Sequence, residues 1–261
     1  MIEFFAKFPI LKRLIPSIGI RVFKVLKKSR RFYKIQNIYF YLDFLDPIDR
    51  QIIIYKEYEN DQVKFVENQI LKTQFDYFLD IGANSGYYSF YFASKFKNLK
   101  IKAIEPNLDA FNKFKKTQNE NKFENIEVFN FALSDKENKT KMVSMISHNY
   151  IHSNSTINEN IYQENNKVNA FKTSLRVGDN LFNFLNKKLV LKIDVEGHES
   201  YVLQGLIKNL TQNKCLILIE ISDAKFTEVN EFLIKNNFKK VFKSDFRNDY
   251  VYTNLWKYFQ L

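Results

Sequence analysis

The sequence predicts an α/β domain: a mostly parallel, seven-stranded sheet with an antiparallel edge strand, preceded by a helical N-terminal extension. Three observations carry that expectation. Apolar runs at 77–81, 100–105, 126–131, 189–194 and 214–221 lack strict polar alternation and are separated by amphipathic stretches. This is the pattern of parallel strands covered by helices on both faces. The last two runs, 238–242 and 250–253, follow each other with no helix between them, so one should turn back antiparallel. Finally, polar clusters at Asp80–Gly86, Glu105–Asn107 and Asp194–Glu199 sit at the carboxyl ends of apolar runs, where open α/β sheets bind ligands.

In chain order, residues 1–36 alternate apolar clusters with Lys and Arg at loosely helical spacing, and Pro9 and Pro16 predict short helices rather than one rod. Residues 38–42 and 50–55 read as two β-like runs around the turn signal Asp46-Pro47. A helical stripe of Val63, Phe65, Val66, Ile70 and Leu71 leads into the 77–81 strand. Helices are then expected at 86–96, at 107–121 behind an Asn107 N-cap, at 197–210 and at 226–236. Residues 136–188 read as irregular, with short β-like pieces flanking a polar stretch at 148–166. The expected division is a basic amphipathic extension, 1–49, and one domain, 50–261.

The net charge of +11 is concentrated. Residues 1–36 hold ten Lys/Arg and one acid, which leaves 30 basic and 28 acidic residues elsewhere, a net of +2. That distribution argues against a nucleic-acid-binding body. It allows residues 1–36 either to pack their apolar side on the core or to touch an anionic membrane surface. No uncharged apolar run reaches bilayer length, no signal peptide is expected, and a lone Cys215 in an apolar run suits a reducing, cytoplasmic setting.

The glycine turn Gly82-Ala83-Asn84-Ser85-Gly86 is not the G-x-G-x-x-G of dinucleotide sites, nor does a Lys-Ser/Thr pair follow it as in a phosphate-binding loop. Its glycines admit close approach of a ligand to the backbone, and the helix start beyond them offers N–H groups to a carboxylate. Asp80 is placed to hold an ammonium, and Glu105, ending the next strand, to hold ribose hydroxyls. An amino acid joined to a ribose describes S-adenosylmethionine.

Asp80-Ile-Gly-Ala-Asn-Ser-Gly86, Ile104-Glu-Pro-Asn107, Phe131-Ala-Leu-Ser-Asp135 and Leu191-Lys-Ile-Asp-Val-Glu-Gly-His-Glu199 together resemble the FkbM family of S-adenosylmethionine-dependent methyltransferases, over about residues 50–255. The resemblance implies a Rossmann-like class I methyltransferase fold and O-methylation of a saccharide hydroxyl in a glycan or glycoconjugate. It implies that Gly82, Ala83, Asn84, Ser85 and Gly86 surround the methionyl end, that Glu105 with Pro106 and Asn107 meets the ribose, and that Ala132, Ser134 and Asp135 lie against the adenine. Asp194 would face the transferred methyl as base or acceptor anchor, with His198 and Glu196 as competing catalytic candidates. Acceptor choice would lie around 148–166. A Mg²⁺ site at Asp194, Glu196, Glu199 and Glu220 is the less favoured option, and the His148/His152 pair lacks a third ligand. The alternatives are an NAD-dependent sugar oxidoreductase, or a non-catalytic membrane-surface or RNA-binding module acting through residues 1–36.

Overall fold

The structure, a computed structural model, describes residues 9–26, 28–147, 150–157, 167–244 and 247–255. Its centre is a sheet of β3 (Tyr77–Ile81), β4 (Lys100–Ile104), β5 (Ile126–Phe129), β10 (Lys188–Ile193), β11 (Lys214–Glu220), β12 (Lys239–Lys243) and β13 (Asp249–Thr253). The spatial order is β12-β13-β11-β10-β3-β4-β5. Strands step outward from β3 to β5 on one side and from β10 to β13 on the other, so the order reverses between β3 and β10. That switch point is where an open α/β sheet leaves room for a ligand. Seven strands in a mostly parallel sheet are as expected. The antiparallel strand, however, is not the edge strand: β13 is inserted between β11 and β12 and runs antiparallel to both. The short link between β12 and β13 accounts for their antiparallel pairing, which a short connection allows where it would not allow a parallel one.

Along the central strands, successive side chains feed opposite cores. Phe78, Val190, Leu216 and Leu218 join one apolar cluster, while Leu79, Leu191, Ile217 and Ile219 join the other. With both faces covered, the runs need no polar alternation. The first face carries α2 (Pro47–Tyr55), α3 (Asn60–Thr73) and α4 (Tyr87–Lys95), which follows the glycine turn. α5 (Leu108–Asn121) belongs to the same face through Ala110 and Phe114. The second face is built from α6 (Gly178–Leu181), α7 (Glu199–Gly205), α8 (Ile207–Thr211) and α9 (Phe226–Lys235).

Four expectations are corrected. Residues 50–55 form helix, not strand. Asp46 Oδ1 accepts from the Ile48 and Asp49 amides at 3.0 and 3.1 Å, and Pro47 stands at the first helical position. The cap and the burial of Ile52, Ile53 and Ile54 override the β preference of that branched run. Pro16 lies inside a single helix, α1 (Pro9–Leu26), whose Phe23 ring packs 4.8 Å from Phe44. Tertiary packing of this kind offsets the hydrogen bond that an internal proline removes, roughly 3 kcal/mol. The 197–210 helix divides into α7 and α8 at Leu206; beside the break, Gly205 packs against the Ser134 carbonyl so closely that no side chain fits there. Residues 136–188, expected to be irregular, are largely strand where they are described. β6 (Ala132–Ser134), β7 (Asn138–Ser147), β8 (Tyr150–Thr156) and β9 (Lys167–Val177) make a second sheet ordered β6-β9-β7-β8.

An N-terminal hairpin of β1 (Arg30–Ile35) and β2 (Ile38–Asp43) is fastened to α5 by polar contacts. Arg30 bonds Asp43 at 2.7 Å and both oxygens of Asp109 at 2.6 and 2.9 Å. Asn121 bonds both the amide and the carbonyl of Tyr39 at 2.9 Å. From α2, Asp49 forms a fully buried ion pair with Lys113 of α5 at 2.5 Å. These ties bring α2 over the sheet switch point, which is why Ile48 and Ile52 become part of the site below. Among the described residues, no helix is long and apolar enough to cross a membrane.

Candidate active site

A cavity of about 260 Å³ opens at the switch point, beyond the carboxyl ends of β3, β4 and β10. Its floor is the glycine turn. Gly82, Asn84 and Gly86 all have positive φ, +81°, +50° and +85°. Glycine takes that conformation freely and Asn more readily than other residues, which accounts for these residue types at these three positions. The Gly82 and Ala83 amides donate to the Ile104 carbonyl at 2.9 and 3.0 Å, tying the turn to the end of β4. A side chain on Gly82 would run into the carbonyl of Asp194. The glycine therefore lets β10 and its acid close up against the turn.

Glu105 is buried, and each of its oxygens accepts a backbone amide at 2.7 Å, Oε2 from Asn84 and Oε1 from Asn107. Burial pushes its carboxyl up to about 7, against the pull of the two amides. Asp80 is buried as well. Its Oδ2 accepts from Ser89 Oγ at 2.6 Å and from the Ser89 amide at 3.2 Å, while its Oδ1 has no partner. Burial holds its carboxyl above the ordinary range.

Opposite the turn, Asp194 Oδ2, one residue past the end of β10, is paired at 2.9 Å with Lys192, two residues earlier in the chain. Lys192 also sits in register with Asp80 across the β10–β3 pairing, and its Nζ lies 5.1 Å from the centre of the Tyr88 ring. Burial works against its charge, but Asp194, Glu59 and Asp80 overcome that and keep the ammonium protonated. Glu220, also in the wall, is pushed up to about 8 by burial and by the neighbouring charges of Asp194 and Asp249.

Of the residues expected at the site, Asp80, Gly82, Ala83, Asn84, Ser85, Glu105, Pro106, Ala132, Asp194, Glu196 and His198 line this cavity. Gly86 instead backs onto Phe114 and Phe90. Asn107 caps α5 through Oδ1 and donates to Ser155 Oγ at 2.9 Å. Ser134 Oγ bonds Asp135 Oδ1 and His198 Nε2, each at 3.0 Å. That places His198 at the β6 side of the cavity, stacked on Tyr201 at 4.6 Å, with its ring directed to Ser134. Burial lowers its imidazole to about 4, so it is neutral at pH 7. Glu196 has positive φ, +53°, and its carbonyl accepts from Thr156 Oγ1 at 2.7 Å. Glu199 turns back to accept the Gly197 amide at 2.8 Å. Among the described residues, no three His, Cys, Asp or Glu side chains are grouped so as to hold a metal ion. His148 lies outside the described residues, as does most of the 148–166 stretch expected to choose the acceptor.

Sequence reasoning missed Lys192, Tyr58, Tyr88, Glu59 and Arg247. Lys192 had a signal: it is a lysine interrupting an apolar strand, two places before Asp194. Tyr88 lay unread just past the turn. Glu59 and Arg247 carried no local signal. They pair at 2.9 Å across 188 positions of chain, and Tyr88 Oη donates to Glu59 at 2.8 Å.

Residues 80–246 match the family model described as methyltransferase FkbM domain. Among curated protein sequences, none matches. Solved structures similar to the chain include a precorrin-6y C5,15-methyltransferase from Geobacter metallireducens, 14% identical, covering 74% of this chain and 87% of that one, with a TM-score of 0.42. An rRNA methylase from Streptococcus thermophilus is 13% identical over 72% of this chain and 92% of that one, TM-score 0.42. A human methyltransferase 10 domain containing protein is 11% identical over 91% and 95%, TM-score 0.48.

Proposed function

Because the chain belongs to the methyltransferase FkbM family, we propose that it is an S-adenosylmethionine-dependent O-methyltransferase acting on a sugar hydroxyl of a glycan or glycoconjugate. The observation that carries this reading is the meeting of three strand ends at one cavity: the Gly82–Gly86 turn after β3, Glu105 after β4 and Asp194 after β10.

The residues present fit the methyl donor. Asp80 Oδ1, buried in the cavity wall without a partner, suits the α-ammonium of a methionyl group. Glu105 keeps acceptor capacity for ribose hydroxyls beyond its two amide bonds, since each carboxylate oxygen has more than one lone-pair site. Ala132 and Leu133 offer an apolar wall to an adenine ring. When bound, the donor supplies a methyl group activated on a sulfonium.

Asp194 is the residue assigned to the acceptor hydroxyl. Lys192 occupies its Oδ2, which fixes the carboxylate plane and leaves Oδ1 to accept the hydroxyl proton. Orientation of this kind is a large part of what an enzyme contributes to a two-substrate displacement. His198, neutral and held by Ser134, is turned to the β6 wall and is not assigned the hydroxyl proton.

Calorimetry with S-adenosylhomocysteine tests the donor assignment, and absence of binding would sink it. Asp194→Ala should bind S-adenosylhomocysteine as wild type does and lose methyl transfer. Turnover retained by that variant would remove Asp194 from the chemistry.

A further inference from the structure

A second, more open cavity of about 320 Å³ adjoins the first. Tyr58 and Arg247 line both, so they stand at the passage between them. The outer walls come from the end of α2 and the start of α3: Gln51, Tyr55, Glu57, Glu59 and Asn60. These residues precede the segment that matches the family model. Two of the residues linking the helices, Lys56 and Glu59, have positive φ, +60° and +47°, without being glycine. Non-glycine residues persist in that conformation only where the surroundings over-determine them, commonly beside binding sites.

Charge narrows what the passage can admit. Among the described residues, seven carboxylates line the two cavities against Lys192 and Arg247. Neither cation is available to an incoming anion. Lys192 is committed to Asp194. Arg247 lies 2.9 Å from Glu59, 3.3 Å from Asp249 and 3.8 Å from Glu220. In the second groove the remaining wall chemistry is aromatic faces beside amides and carboxylates. Tyrosine rings suit the C–H faces of a pyranose, and Gln, Asn and Glu provide donors and acceptors for its hydroxyls.

We propose that the groove between α2 and α3, entered past Tyr58 and Arg247, binds the acceptor as an uncharged polyhydroxylated saccharide and turns away phosphorylated sugars and nucleic acid. The proposal rests on the methyltransferase reading for the identity of the first cavity, and it extends that reading by placing the acceptor and setting its charge. The basic excess of the chain is concentrated in residues 1–36, outside the residues that line the two cavities.

Saturation-transfer NMR on the full chain with S-adenosylhomocysteine tests it. The probes are the methyl glycosides of glucose, mannose, galactose and rhamnose, with glucose 6-phosphate, mannose 6-phosphate and a short RNA as anionic counterparts. At least one neutral glycoside should receive saturation and the anions none. Tyr55→Ala and Gln51→Ala, both on the outer wall, should each weaken that binding about tenfold. Glu57→Lys should raise the response of the phosphorylated sugars. Calorimetry on the same variants should return the wild-type affinity for S-adenosylhomocysteine, which shows the fold intact. Binding of none of the neutral glycosides, preference for the anions, or indifference to both outer-wall substitutions would overturn the proposal. Loss of S-adenosylhomocysteine binding by the wild type is a different failure: it removes the methyltransferase reading itself.

Discussion

The Lys192 ammonium and the Asp194 carboxylate lie 2.9 Å apart at the carboxyl end of β10, the lysine almost wholly buried and the acid at the cavity edge. Lys192 is the positive centre around which Asp194, Glu59 and Asp80 are gathered. Removing one partner of a buried pair leaves uncompensated charge at a cost of about 3–5 kcal/mol. Lys192→Met should therefore lower the unfolding free energy measured by urea titration by that amount and abolish methyl transfer. The double variant with Asp194→Asn should be less destabilised than the sum of the two single changes, because the residues share one interaction. Strict additivity would show the pair to be uncoupled.

Gly82→Ala tests the close approach of β10 to the turn. The left-handed backbone at +81° costs an alanine about 1–2 kcal/mol. The added methyl must also displace the Asp194 carbonyl, which is backbone and cannot rotate away. Expected are a lower thermal midpoint and S-adenosylhomocysteine binding weakened at least about tenfold, equivalent to roughly 1.4 kcal/mol. Unchanged affinity would mean that the turn does not touch the ligand.

Stability should depend on pH through Glu105. Burial raises its folded value to about 7 from an ordinary 4.5, so the folded state holds the proton more tightly than the unfolded one. Its contribution is fully present below 4.5 and is lost as pH rises through about 7, at most roughly 3 kcal/mol. Glu220, raised to about 8, has the same sign, so the difference between wild type and Glu105→Gln isolates the Glu105 part. Urea unfolding from pH 4.5 to 7.5 measures it, and a difference constant across that range would refute the assignment.

His198 should not titrate near neutrality. With its imidazole lowered to about 4 by burial, its ring resonances should stay constant from pH 5.5 to 8 and move only near 4. Its stability contribution has the opposite sign to that of Glu105: present above 6.5 and lost as pH falls through about 4. NMR titration, with the resonance assigned by comparison with His198→Gln, reads this directly. An inflection between 6 and 7 would restore His198 as a candidate general base.

Local spacing was enough to read the parallel sheet, the glycine turn and the three strand-end clusters gathered at one cavity. Each depends on residues close together in sequence and on strand burial that leaves a continuous apolar run. The sequence pattern failed at 50–55, where three isoleucines prefer strand locally and a capped, packed helix was the better global solution. It also failed at 136–188, where β7 and β9 pair over long registers that no short window reveals. The Glu59–Arg247 pair, the shared wall at Tyr58 and the seating of α2 over the switch point belong to the tertiary structure alone. The sequence by itself determined the glycine turn and the strand-end acids that line the cavity, because each cluster is written in residues close together in the chain. Only folding decided what stands beside it, because the second groove joins residues 51–60 to Arg247, and chain closure, not spacing, brings those together.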